Sequence, residues 1–251
     1  MPSRRGKLSG VSANGKRGLA TAKALHLRAS RLAAQGDYRS AAAALLQALP
    51  VAEQIRPSQP VFIAAILNDF GVVCKYTGRF AQASRMYRRA LKLVAASRDR
   101  WERKRFEAAL YHNLGGVEYS RRRFDLALRY ARRGIRLRKT IRPREATEIA
   151  ADEAALAAIL SEVGRTSDAV AIYSRVLRVF RRNLGREHYE VGAALANLGA
   201  VYWRIGRSNA SERALQRAVE ILEEALGRKH PRTITAVNNL AIIRARRSRT
   251  K

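Results

Sequence analysis

The sequence predicts an all-α protein, an array of about five helical hairpins closed by one final helix. Three observations predict it. The stretch LGREHYEVGAALANLG, from Leu184 to Gly199, returns as LGRKHPRTITAVNNLA, from Leu226 to Ala241, forty-two residues on. Turn glycines keep that spacing: Gly36 and Gly78 are forty-two apart, and so are Gly164 and Gly206. Between these marks apolar residues recur at helical spacing, with Leu195, Leu198, Gly199, Tyr202 and Ile205 at i, i+3, i+4, i+7 and i+10. A fixed period of this length marks stacked units that bury their apolar faces against one another.

Residues 1–21 hold no acid and no helical periodicity, and read as a basic flexible tail. Residues 22–246 read as one repeat domain. Its first unit, about 22–56, has the turn Gly36-Asp37-Tyr38 and the packing face Ala41, Leu45 and Ala48; Arg28-Ala29 in place of a Leu-Gly pair suits an atypical end repeat. Pro57 and Pro60 then break the chain. The second unit, about 64–98, carries Phe70-Gly71, Cys74, Gly78, Phe80, Ala83, Tyr87 and Ala90. The third, about 108–142, carries Leu114-Gly115, Phe124, Ala127 and Ala131, with Arg122 where the turn glycine belongs. The fourth, about 150–184, holds Leu156, Leu160, Gly164, Ala169, Tyr173 and Val176. The fifth, about 192–226, pairs the Leu195 face with Ala210, Ala214, Leu215, Ala218, Ile221 and Leu222. A last helix over 233–246, with Val237, Leu240 and Ala241 inward, is expected to cap the array, and 247–251 form a second basic tail.

Asn197-Leu198-Gly199, Tyr202, Gly206, Leu215 and Ala218 resemble the tetratricopeptide repeat signature. The LG-x-x-H-P loop and the forty-two-residue period are similar to its kinesin-light-chain-like subgroup. The resemblance covers roughly residues 22–246 and implies a right-handed superhelix, an α-solenoid, of antiparallel pairs. It also implies a non-enzymatic scaffold whose first helices line a groove for extended peptides. The Asn before the Leu-Gly pair is one groove contact in that family; here it is Asn113, Asn197 and Asn239, with Asp69 in the second unit. Carboxamides both donate and accept, so they can pair with a peptide backbone or, equally, with a neighbouring repeat. Nearby groove candidates are His112, Tyr119, Trp203 and Arg204, together with Lys75 and Tyr76.

The formal charge of +30 is uneven: residues 1–144 hold 32 Lys or Arg against 8 acids, and 145–251 hold 18 against 12. Arg85, Arg88, Arg89 and Lys92 step as i, i+3, i+4 and i+7, and Arg129, Arg132, Arg133 and Arg136 repeat those steps forty-four residues on. These eight are the candidates for an anion-binding stripe, extended by Arg121 to Arg123, Arg138, Lys139, Arg142 and Arg144; the other reading is a solvated face. Aromatic residues lie scattered relative to the stripe, which argues against base stacking.

No phosphate loop, metal-ligand spacing or catalytic constellation is present in the sequence, so neither an enzyme nor a cofactor is expected. His188 and His230 recur in the loop motif and read as structural. Single Cys74, on an apolar face, reads as a buried thiol in a reducing compartment. No apolar run approaches a membrane span, and the expected location is cytoplasmic, with an organellar presequence as the lesser alternative. The expected partner is a protein or peptide of acidic character. The alternative is sequence-independent RNA or DNA binding through the stripe and tails.

Overall fold

The computed structural model describes residues 13–56, 58–143 and 145–248, and among these every regular element is an α-helix. In chain order they are α1 (Ala13–Ala34), α2 (Tyr38–Gln54), α3 (Pro60–Tyr76), α4 (Phe80–Val94), α5 (Arg100–Ser120), α6 (Phe124–Lys139), α7 (Ala146–Glu162), α8 (Thr166–Asn183), α9 (Tyr189–Arg204), α10 (Ser208–Leu226) and α11 (Pro231–Ser248). The chain forms two compact units, Met1–Ser97 and Arg98–Lys251. The first holds the hairpins α1/α2 and α3/α4; the second holds α5/α6, α7/α8 and α9/α10, followed by α11. Residues 13–21, expected as part of the flexible tail, are helical, because Ala and Leu there continue the α1 pattern; residues 1–12 and 249–251 lie outside the described part.

The same closure ends each first helix. The amide three residues past the helix donates to a carbonyl five residues back, at 2.9 Å from Asp37 to Leu32, 2.7 Å from Arg79 to Cys74, 2.9 Å from Arg123 to Glu118, 2.9 Å from Arg165 to Leu160 and 2.9 Å from Arg207 to Tyr202. Such a closure needs one left-handed residue. Four glycines supply it, and the third hairpin uses Arg122 at φ 60°, a conformation that costs a side-chain-bearing residue roughly 1–2 kcal/mol.

Helix starts are equally legible. Asp37 accepts the Ser40 amide and Asp99 accepts those of Trp101 and Glu102. The recurrent loop histidines do the same work: Nδ1 of His188 accepts from the Glu190 amide and Nδ1 of His230 from the Arg232 amide, each at 3.2 Å. Burial, and then the Arg232 charge, hold His230 below the usual imidazole range, which favours the neutral form a cap requires.

The cores are aliphatic with few aromatics. In the first unit Ala41, Leu45, Ile66, Leu67, Cys74, Tyr87 and Val94 are fully or nearly fully buried. In the second, Tyr173, Val176, Leu177, Phe180, Val191, Ala194, Leu195 and Leu198 form the main cluster. Helices cross closely where glycine permits: a Cβ on Gly199 would lie 2.8 Å from Leu215 Cγ and 3.3 Å from the Ser211 carbonyl. At that crossing the Ser211 hydroxyl donates to the Gly199 carbonyl at 2.7 Å. On α11 the buried side is Ala236, Leu240 and Ile243, whereas Val237 and Ala241, expected inward, are exposed, because no helix among the described residues lies over that side.

Candidate functional site

In the second unit α5, α7, α9 and α11 touch in succession while α6, α8 and α10 do not touch one another, so the first helices form the inside of a curve. Asn197 is exposed on this inner layer, and Asn113 and Asn239 are half-buried in the same register. Small residues flank them: Ala193 and Ala200 on α9, and Ala151, Ala155 and Ala158 on α7, are all exposed or half-buried. The result is a shallow trough of small side chains with carboxamides along it.

Other candidates in the trough are tied to one another. The Tyr119 hydroxyl donates to Glu162 Oε1 at 3.4 Å, and Arg204 Nη2 approaches the same oxygen at 2.6 Å. Arg204 Nη1 also donates to the Ser161 carbonyl at 2.9 Å. Glu162 on α7 thus joins α5 to α9, and burial followed by the Glu162 charge pushes the Tyr119 phenol up. His112 Nδ1 lies 2.8 Å from Asp152 Oδ1. Trp203 packs against the cluster of Leu215, Leu240 and Ile243. Burial, followed by the Tyr119 phenol, pushes the Tyr173 phenol well above its usual range, and the nearby Asn197 side chain only partly offsets this.

In the first unit, Asp69 on α3 is held by α1: its Oδ2 meets His26 Nε2 at 2.8 Å and accepts from the Ser30 hydroxyl at 3.2 Å, and its Oδ1 accepts from Asn68 at 3.1 Å. Lys75 sits 5.4 Å from the Tyr76 ring centre, and Tyr76 stacks on Tyr38.

The basic residues divide into paired and unpaired. On α4, Arg85, Arg88, Arg89 and Lys92 are exposed, and Arg89 pairs with Glu53. On α6, Arg129, Arg132, Arg133 and Arg136 are exposed, and the Arg133 guanidinium lies 4.6 Å from the Tyr111 ring centre. Among the described residues Arg85, Arg88, Lys92, Arg129, Arg132 and Arg136 meet no carboxylate at ion-pair distance. The register of Arg89 and Arg133 continues as Arg175, paired with Glu153, and Arg217, paired with Glu187 and Glu220. Of these four, Arg133 has an aromatic ring where the others have an acid.

Two sequence expectations about this face are corrected. Arg138 does not extend the stripe: it is buried, with Nε 2.6 Å from Asp152 Oδ2 and Nη1 3.5 Å from Glu145. Lys139 pairs with Glu153, Arg121 and Arg123 lie 3.7 and 4.0 Å from the buried Glu118 carboxylate, and Arg144 lies outside the described residues. The aromatics are not scattered either. Tyr111 on α5 stacks on Tyr130 of α6 at 6.1 Å beside Arg133, because α5 and α6 pack as a hairpin, and Trp101, 42% exposed, has its α5 neighbours Arg100 and Lys104 over its ring.

The buried charges were readable in principle. Arg138 occupies the register of Val94, Phe180 and Leu222, Asp152 that of Ile66, Leu110, Ala194 and Ala236, and Glu118 that of Cys74 and Leu160; all those counterparts are apolar and buried. A charge in an apolar register signals a buried partner. Among the described residues no group of three His, Cys, Asp or Glu could hold a metal ion, and no helix is long and apolar enough to cross a membrane.

Comparison with known proteins gives these positions a context. The tetratricopeptide repeat family model matches residues 62–140, 148–224 and 193–251. The crystal structure of BtubC (BKLC) from P. vanneervenii is similar at TM-score 0.61 and 20% identity, covering 84% of this chain and 89% of that one. A putative kinesin light chain with nearly identical TPR-like repeats from Podosopora anserina is similar at TM-score 0.59 and 16% identity, covering 86% and 98%. NprR, solved in complex with its cognate peptide NprX, is similar at TM-score 0.69 and 13% identity, covering 98% of this chain and 65% of that one. A comparison with curated protein sequences found no significant match.

Proposed function

The chain belongs to the tetratricopeptide repeat family, and from that premise we propose that it is a non-catalytic scaffold whose second unit takes an extended peptide along α5, α7, α9 and α11. The observation that carries this reading is the trough itself: exposed Asn197, with Asn113 and Asn239 in register, among alanines small enough for a peptide backbone to come close. That NprR binds its cognate peptide on a similar fold supports the reading by analogy. Acidic partners are favoured, since Arg129, Arg132 and Arg136 add an uncompensated positive field to a chain of formal charge +30. A single buried cysteine, Cys74, suits a reducing compartment, and the cytoplasm is the proposed location.

A peptide array probed with the full chain tests this. The expected result is enrichment of acidic peptides, with signal lost when Asn113, Asn197 and Asn239 are changed to Ala together. Changing Arg129, Arg132 and Arg136 to Glu should weaken the acidic hits and flatten their salt dependence, while the Asn changes leave the salt slope as it was. Equal capture by the triple-Asn variant would remove the trough from the reading.

The Tyr111 and Tyr130 rings beside Arg133, and the Trp101 ring beneath Arg100 and Lys104, favour a second reading, single-stranded nucleic acid held by stacking and cations. Fluorescence anisotropy with a labelled single-stranded homopolymer separates the two: Trp101→Ala weakens that binding and leaves peptide capture unchanged.

A further inference from the structure

One register of the second helices crosses the first helix of the same hairpin at its small residue. In the fifth hairpin the pair is Leu215 and Gly199, where a Cβ on the glycine would lie 2.8 Å from Leu215 Cγ. In the second hairpin it is Tyr87 and Gly71, with 2.6 Å to Tyr87 Cζ. In the fourth it is Tyr173 and Ala157, both wholly buried in one cluster. Leu45 and Leu215 fill this register by packing alone, so a tyrosine hydroxyl here is surplus to the crossing.

The Tyr173 hydroxyl is buried and meets no hydrogen-bond partner. A buried O–H without an acceptor is costly, and a native site that keeps one calls for a reason. The polar side chains close enough to act on it are Tyr119 of α5 and Asn197 of α9, which places the hydroxyl beneath the layer of first helices that lines the trough. Tyr119 is held on Glu162. Asn197 is exposed, so its carboxamide has room to turn, and of the two it alone offers a carbonyl oxygen to the tyrosine O–H.

A carboxamide has an acceptor on one branch and donors on the other, and a peptide backbone can meet either. A bond from Tyr173 removes that choice. We propose that Tyr173 is a positioning residue of the trough: with a peptide over α9, its hydroxyl donates to Asn197 Oδ1 and leaves Nδ2 outward, as the donor to a backbone carbonyl oxygen of the peptide. This rests on the trough reading above and names the peptide group that Asn197 takes. The orphaned hydroxyl gains its partner only in the bound state, so the bond adds to affinity without adding to the stability of the free chain.

The test compares the full-length wild type, Tyr173→Phe, Asn197→Ala and the double variant. The probe is the acidic peptide most strongly captured on the array, labelled with fluorescein and titrated by anisotropy. Tyr173→Phe should weaken binding about three- to tenfold, the share of one hydrogen bond. In the Asn197→Ala background the same change should alter affinity by about twofold or less. The coupling should persist when the acids of the peptide are exchanged, one at a time, for their amides. Without peptide, Tyr173→Phe should leave the urea midpoint unchanged or raised, because the hydroxyl it removes has no partner. The proposal falls if Tyr173→Phe binds as wild type does, if its loss is as large without Asn197 as with it, or if the midpoint drops. It falls also if one amide exchange abolishes the coupling, since Asn197 would then meet a carboxylate. Each of these outcomes leaves the trough standing as long as Asn197→Ala weakens capture. Capture of no peptide, or capture indifferent to Asn197→Ala, overturns both readings together.

Discussion

The seams α6–α7 and α8–α9 use the same two register positions, fourteen residues apart, and fill them differently. At α8–α9 they are Phe180 and Ala194, members of one apolar cluster. At α6–α7 they are Arg138 and Asp152, two buried charges 2.6 Å apart, with His112 on the second carboxylate oxygen. Hairpins can thus stack in one register through burial of apolar area or through a charge pair. The two are not equivalent. An apolar seam loses stability in proportion to the atoms removed, whereas a buried pair has little net worth but is costly to break in half.

The sharpest test removes one residue from each seam. Asp152→Ala strands the Arg138 guanidinium and the His112 ring and should cost about 3–5 kcal/mol. Phe180→Ala should cost a similar amount, about 3–5 kcal/mol, through cavity formation. In urea denaturation the difference lies in repair: adding Arg138→Met to an Asp152→Leu variant should restore at least wild-type stability. If that double variant remained as unstable as Asp152→Ala, the α6–α7 seam would owe its stability to the ions, and the contrast would fail.

Gly199→Leu probes the apolar half from within a hairpin. The added side chain must push against Leu215 and the Ser211 carbonyl, at a cost of roughly 1–3 kcal/mol that salt leaves unchanged. An unaltered midpoint would show that α9 and α10 can separate without penalty. The smallest effect belongs to the hairpin that carries the ions. Arg122→Gly relieves a left-handed φ of 60° but adds freedom to the unfolded chain, so the gain should be about 1 kcal/mol or less. The same exchange at an exposed helical position, Arg129→Gly, should instead destabilise.

The hairpins, their turns and the histidine loops were legible because period, glycine and cap are local signals that repeat. The turn at Arg122 was legible as a missing glycine, and the structure supplies the strain that goes with it. What escaped was the fate of particular charges. Read singly, Arg138 continues a basic run; only its register beside Val94, Phe180 and Leu222 shows that it turns inward. The ties among Tyr119, Glu162 and Arg204 join three hairpins, and no local pattern encodes a contact whose members lie forty-two and forty-three residues apart. The face of α11 was misread for the opposite reason. Its apolar pattern is the same as in covered helices, and a pattern does not say whether a partner is present.

Cys74 is the chain's only thiol, lies in the first unit, and is raised above the ordinary thiol range by burial. Both tryptophans, Trp101 and Trp203, lie in the second unit. The wild-type molecule therefore carries a separate native reporter in each unit. Alkylation of Cys74 times the opening of α3 against α4, and indole fluorescence follows α5 to α11. Coincident traces in one denaturant series would mark a single cooperative transition, and displaced traces would mark two units that unfold independently, without any substitution being introduced.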